Sequence, residues 1–102
     1  MSALATVSTH VLDVASGKPA AGIRVTLGTR SLVTNAEGRI ADLSDGGINP
    51  GSYRLLFEVG SYFEGVPHLV DTIALELRLD EGRHYHVPLL IAPYACSTYR
   101  GT

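Results

Sequence analysis

Two histidines, one arginine and the last four residues hold the chemistry that this 102-residue chain could perform. His10 lies in an alternating stretch, Ala5 to Asp13. There Ala5, Val7, Thr9 and Val11 share one parity, and Thr6, Ser8, His10 and Leu12 the other. His86 lies in a second such stretch, with Tyr85, Val87, Leu89 and Ile91 on one parity and His86, Pro88 and Leu90 on the other. If the valines and Leu89 face a core, both imidazoles project from the outer face of a sheet, with Leu12, Pro88 and Leu90 beside them. An imidazole there titrates near neutral pH and can act as a general base toward water. One exposed His on a strand is ordinary; two on an apolar outer face suit an interface or a pocket wall. Arg39 directly follows the turn Asn35-Ala36-Glu37-Gly38. Its planar donors can hold a carbonyl oxygen or an anionic heterocycle, although by residue type alone a solvated Arg after a turn fits as well. The chain ends Tyr99-Arg100-Gly101-Thr102, which taken alone also reads as an edge strand with a solvated tip. Together these groups suit opening of a strained cyclic amide or imide by activated water. A positioned His base contributes about 10²–10⁴ in rate, and a preorganised oxyanion donor about 10²–10³.

Other chemistries find little support. Four His and one Cys offer no closed ligand set, so neither a metal nor another cofactor is expected. Ser97 has no evident base and orienter for a Ser-His-Asp arrangement, and no turn has the form of a phosphate-binding loop. Seven Arg and one Lys are scattered along a chain of net charge −2, which argues against nucleic acid as a partner. No stretch approaches the about 20 apolar residues of a membrane span. Cys96 is the single cysteine, which suits a reducing compartment. The start, Met-Ser-Ala-Leu-Ala-Thr-Val, lacks the pattern of a signal peptide, so a cytoplasmic location is expected.

The elements that must position these residues are short strands. Ser16-Gly17-Lys18-Pro19 reads as a turn, and Ile23, Val25 and Leu27 alternate as a second strand. Gly28-Thr29 allows a tight reversal into Ser31–Thr34, and Arg39 opens a short strand after the next turn. Asn49-Pro50-Gly51 turns the chain into the alternating run Tyr53, Leu55, Phe57, Val59. Ile73, Leu75, Leu77 and Leu79 form another such run, and Asp80-Glu81-Gly82 leads into the last hairpin, which turns at Ala92-Pro93. Residues 60–66 lack period two and are the one place for a short helix. The pattern predicts a single domain over residues 1–102: an all-β, two-sheet antiparallel β-sandwich of seven or eight strands with one short helix near residues 60–66.

Two stretches taken together resemble the transthyretin-related family. His10-Val11-Leu12-Asp13, then Gly17-Lys18-Pro19-Ala20 and Ile23-Arg24-Val25, resembles its first signature. Tyr85-His86-Val87-Pro88-Leu89-Leu90, Pro93-Tyr94 and Ser97-Thr98-Tyr99-Arg100-Gly101 resembles its second. The ending is similar to that of the enzyme branch, the 5-hydroxyisourate hydrolases, whose chains close in Tyr-Arg-Gly-Ser; the hormone-carrier branch lacks it and lacks both histidines. The resemblance implies a prealbumin-like sandwich that hydrolyses 5-hydroxyisourate, the product of urate oxidase, to 2-oxo-4-hydroxy-4-carboxy-5-ureidoimidazoline. It further implies His10, Arg39 and His86 as catalytic residues. His10, Arg39, Tyr99, Arg100, Gly101 and Thr102 would contact the substrate, in a homotetramer (a dimer of dimers) with sites at the groove between subunits. The chain departs from the pattern at Thr102, where the family has Ser. It also departs at Ile91-Ala92 in place of Leu-Ser, at Cys96 in place of an aromatic, and in shorter segments near Gly28 and after Tyr62.

Val33 to Ile40 with Pro50 to Leu55 also resembles carboxypeptidase-regulatory-like sandwich modules, which bind and do not catalyse. Those residues are turn formers and core alternation, so they speak to fold rather than function. A third reading is a carrier of a small aromatic ligand, as in the transthyretin branch. The C-terminal block and the two histidines discriminate against both.

Overall fold

The strands assemble around one constraint: each alternating run has an apolar parity that must be covered. In the computed structural model, which describes residues 3–101, nine strands meet this need in two facing sheets. They are β1 (Thr6–Asp13), β2 (Lys18–Pro19), β3 (Arg24–Leu27), β4 (Arg30–Val33), β5 (Arg39–Ile40), β6 (Gly51–Glu58), β7 (Thr72–Leu79), β8 (His84–Ala92) and β9 (Ala95–Thr98). One sheet runs β2-β1-β8-β9, with β5 also pairing with β1; the other runs β4-β3-β6-β7. Val7, Val11, Val87, Leu89 and Ile91 of the first sheet pack with Val25, Leu27, Leu55, Phe57 and Leu79 of the second. All ten are buried, Phe57 being the largest fully buried side chain. Among the described residues, no helix is long and apolar enough to cross a membrane.

The alternation places the reversal at Gly28-Thr29, the short strand at Arg39 and the last hairpin where the structure has them. Lys18–Pro19 is a short strand rather than only a turn. Pro19 pairs with Leu12 at the edge of the sheet, where a missing N–H leaves no interior ladder position empty.

Three expectations are overturned, the first being the count of seven or eight strands, since the described residues form nine. Residues 60–66 form no helix. Successive turns join Val59 to Val66, with N–H groups of Tyr62, Phe63, Glu64 and Val66 each donating to the carbonyl three residues earlier. Gly60 and Gly65 bracket the segment and Pro67 follows it, so too few residues remain to offset the cost of nucleating a helix. Tertiary contacts set its path instead: Phe63 is buried in the core, and the Tyr62 hydroxyl donates to Asp13 at 3.0 Å. The sandwich is also not purely antiparallel. β1 and β8 run parallel along eight paired residues, from Thr6 with His84 to Asp13 with Ile91. Side-chain parity reads the same for either strand direction, so alternation carries no information on this point.

Candidate functional site

The parallel pair builds the site. Its register sets Ser8 beside His86, His10 beside Pro88 and Leu12 beside Leu90, all on the parity facing away from the core. The antiparallel pairing of β5 with the other edge of β1 sets Arg39 beside His10. One outer face therefore gathers His10, Arg39, Ser8, His84 and His86 from three strands that lie far apart in sequence. Leu12 and Leu90 continue that face and are half-buried.

Arg39 is placed by its turn. Asn35 Oδ1 accepts the N–H groups of Glu37 and Arg39 at 2.9 and 3.0 Å, and the Gly38 N–H donates to the Asn35 carbonyl at 2.9 Å. Gly38 has φ 74°, and a Cβ there would lie 2.4 Å from the Val11 carbonyl oxygen. Only glycine permits both the left-handed conformation and this approach, which lets β5 dock on β1. The resulting cleft, about 260 Å³, is lined by Ser8, Thr9, Asn35, Arg39, Ile40, Ala41 and His86.

His86 also borders a second cleft, of about 460 Å³, with His84, Arg100 and Gly101. Here the C-terminal segment returns to β8. Pro88 has no N–H, so the β8–β9 ladder breaks after Leu89 with Thr98, and the Thr98 hydroxyl donates instead to the Pro88 carbonyl at 2.7 Å. The same register resumes where His86 pairs with Gly101, whose N–H donates to the His86 carbonyl at 2.7 Å. A Cβ on Gly101 would lie 2.7 Å from His86 Cδ2, so the backbone rests against the imidazole itself.

The Ser8 hydroxyl meets His86 Nδ1 at 2.8 Å and His84 Nε2 at 3.0 Å, and His84 Nδ1 meets the Thr6 hydroxyl at 2.6 Å. Among the described residues, His86 Nε2 has no hydrogen-bond partner. Burial pushes the His86 imidazole below its ordinary range, and the charges of Arg39, His10 and His84 push the same way. Neutral His86 is thereby favoured near pH 7, as a proton acceptor requires. His68 goes the other way: its hydrogen bond to the Val66 carbonyl, then that to Asp71, raises it. No group of three His, Cys, Asp or Glu suited to a metal ion occurs among the described residues.

Of the residues singled out from sequence, His10, Arg39, His86 and Gly101 come together. Arg100 borders the second cleft, but its guanidinium stacks over the Tyr85 ring, 4.8 Å from the centroid. Tyr99 is not with the histidines. It is exposed and lines a separate apolar cleft with Leu75, Leu77, Tyr85 and Val87. Thr102 lies outside the described residues. The structure adds His84 and Ser8 to the site. The parity that His84 shares with His86 was visible, but Ser8 joins them only through the parallel register.

Comparison with known proteins gives the family. Residues 7–101 match the model of the HIUase/transthyretin family. The chain belongs to that family. It is 44% identical to a 5-hydroxyisourate hydrolase of Deinococcus radiodurans, covering 93% of this chain and 94% of the relative. The structure of Klebsiella pneumoniae 5-hydroxyisourate hydrolase superposes with a TM-score of 0.89 at 38% identity, covering 100% of this chain and 97% of that one. Transthyretin from Sparus aurata shares the fold, with a TM-score of 0.85 at 23% identity over 93% of this chain and 95% of its own.

The contact between Gly101 and His86 is directly testable. Gly101→Ala should move the ring resonances of His86 in NMR spectra and leave those of the remote His68 in place, with the melting temperature little changed. Unchanged His86 resonances would mean that the C-terminal segment does not rest on the ring.

Proposed function

We propose that this chain is a 5-hydroxyisourate hydrolase, acting in urate breakdown. The observation that carries the reading is the convergence of His86, His10 and Arg39 on one face, with the C-terminal Gly101 backbone against His86. The names of the relatives supply the substrate. His86, held neutral, takes a proton through Nε2 from the water that attacks the substrate carbonyl. Arg39 donates to the oxygen on which negative charge develops, and its fixed positive charge stabilises the transition state more than the ground state. His10, beside Arg39, is the second proton-handling group. Arg100 and Gly101 wall the pocket; Tyr99 contributes through the segment it belongs to rather than by reaching the histidines.

The working form is a homotetramer, a dimer of dimers, with the site in a groove between subunits. Leu12 and Leu90 support this, because they extend the histidine face as a half-buried apolar patch that a partner would cover. A second copy would also close the two shallow clefts and exclude water from around Arg39, strengthening its field.

Incubation with freshly generated 5-hydroxyisourate, following its ultraviolet decay against the spontaneous rate, tests the activity. His10→Ala, Arg39→Ala and His86→Ala should each lower turnover at least about tenfold with the fold intact, because outward polar residues contribute little to the core. Arg39→Lys should rescue only partly, since Lys lacks the planar fork. Wild-type turnover in all three alanine variants would remove the assignment.

The pH profile has a definite sign. With His86 held low, kcat/KM should stay level as pH falls toward 6.5, the ordinary imidazole value, and decline only below it. In Arg39→Ala the residual activity should lose its acid limb at higher pH, because a cation that disfavours the imidazolium has gone. An acid limb that stays put or moves down would exclude His86 as the titrating base.

Light scattering should report a tetramer, and Leu90→Glu should dissociate it and depress activity while the chain stays folded. A monomer with full activity would overturn the shared site.

A further inference from the structure

The hydrogen bonds that leave His86 on the side away from the reacting atom form a continuous chain. His86 Nδ1 meets Ser8 Oγ at 2.8 Å, Ser8 Oγ meets His84 Nε2 at 3.0 Å, and His84 Nδ1 meets Thr6 Oγ1 at 2.6 Å. Ser8 is 8% exposed, whereas His84 is exposed, so the chain runs from a shielded hydroxyl to solvent. Ser8 has a single hydroxyl proton, and with that proton donated within the chain the hydrogen bonds run in one of two arrangements. In one, Ser8 donates to His86, so His84 must donate to Ser8 and accept from Thr6; both imidazoles then carry their proton on Nε2. In the other, His86 donates to Ser8, Ser8 donates to His84, and His84 donates to Thr6; both then carry it on Nδ1. With Ser8 donating within the chain, the two neutral rings hold the same tautomer.

We infer that Thr6, His84 and Ser8 form a proton relay that sets the tautomer of His86 and moves charge between it and solvent. This rests on the reading of His86 as the base. In the Nδ1–H arrangement His86 Nε2 presents its lone pair to the attacking water. As the water oxygen bonds to the carbonyl carbon, its proton passes to Nε2. The Nδ1 proton passes to Ser8 Oγ, the Ser8 proton to His84 Nε2, and the His84 Nδ1 proton through Thr6 to solvent. His86 ends neutral with its proton on Nε2. When the carbon–nitrogen bond breaks, that proton goes to the leaving nitrogen and the chain runs backward, drawing one proton from solvent and restoring the starting arrangement. The relay gains and loses no net proton over the cycle, and no further reactant is needed.

The physical reason for such a device lies in what surrounds His86. Arg39 faces it from β5, His10 from β1 and His84 from its own strand, and Arg100 borders the same cleft. Among the described residues, no carboxylate lines either cleft that His86 borders. A full imidazolium held there would be repelled by Arg39 and His10 in partly buried surroundings. Passing the charge through His84 and Thr6 delivers it to solvent at the exposed end of the chain. Ser8 and His84 act through His86 and are positioning residues.

Long-range 1H–15N NMR of the substrate-free protein reads both tautomers directly. His84 and His86 should show matching Nδ1–H and Nε2–H populations in the wild type, and the match should be lost in Ser8→Ala. Different tautomers in the wild type, or a match that survives Ser8→Ala, would overturn the relay. In kinetics, Ser8→Ala and His84→Gln should lower kcat about tenfold or more with KM within about twofold, while Ser8→Thr, which keeps the hydroxyl, retains most of it. Gln at position 84 can still bond to Ser8 but cannot ionise, so wild-type kcat in folded His84→Gln would also overturn the proposal. Rate in mixtures of light and heavy water should curve with deuterium fraction in the wild type and become linear in Ser8→Ala. Should the wild-type protein not accelerate opening of 5-hydroxyisourate, the proposed activity falls, and the tautomer measurement still decides the wiring.

Discussion

The parallel pairing of β1 with β8 is the interaction on which the rest depends. It joins the first strand to the last long one, at the cost of closing a loop of some seventy residues whose entropy must be offset before the contact forms. The offset comes from burial: Val7 and Val11 on one strand and Val87, Leu89 and Ile91 on the other lose almost all contact with water. Burying such side chains contributes about 1.5–3 kcal/mol each. Because successive side chains alternate, the burial that holds the inner faces together fixes which residues meet on the outer faces. A slip by one residue would send His10 and His86 into the core and Val11 and Val87 into water. The chemistry of the outer face is therefore held in place by the hydrophobic effect on the inner one.

The chain end is tied to the same strand by a different device. A proline in the middle of β8 would ordinarily be an interruption, and here the interruption has a use. It ends the regular ladder after Thr98, frees Tyr99 and Arg100 from strand geometry, and lets the backbone return at Gly101 against the imidazole. Three contacts hold the segment: the Thr98 hydroxyl on the Pro88 carbonyl, the Gly101 N–H on the His86 carbonyl, and Arg100 over Tyr85. Their combined effect is to hold residues 98–101 on β8, with Arg100 and Gly101 forming one side of the cleft around His86.

The two best-characterised histidines of the molecule illustrate how environment decides role. His68 bonds to a carbonyl oxygen and to Asp71, both of which favour its charged form. The stability it contributes is present below the pKa of the unfolded chain and is lost as pH rises through its raised folded value. His86 sits among Arg39, His10 and His84, with burial adding to their effect, so its neutral form is favoured. Its linkage has the opposite sign: the fold that holds it loses stability as pH falls and the imidazole must charge. The first is a structural ion pair. The second has the electrostatics of a base.

What the sequence determined by itself is local. Alternation in Thr6–Asp13, Gly51–Glu58, Thr72–Leu79 and His84–Ala92 placed the strands, and turn chemistry at Gly28 and Asn35–Gly38 placed two reversals. Parity alone put His10 and His86 on outward faces, because a period of two follows from backbone geometry and needs no partner. The resemblance of the C-terminal block added the expectation that these residues act together. The tertiary structure decided everything that depends on which strands meet and in what direction. The parallel register of β1 and β8, the seating of Arg39 beside His10, and the bridging of His84 and His86 by Ser8 are all contacts between residues distant in the chain. So is the exclusion of Tyr99 from the histidine face, which follows from how residues 99–101 pass Pro88. The helix expected at 60–66 failed for the same reason: local pattern could not foresee that Phe63 and Tyr62 would be captured by the core and by Asp13. A strand carries its parity in its own residues, but its neighbours are chosen by the free energy of the whole fold.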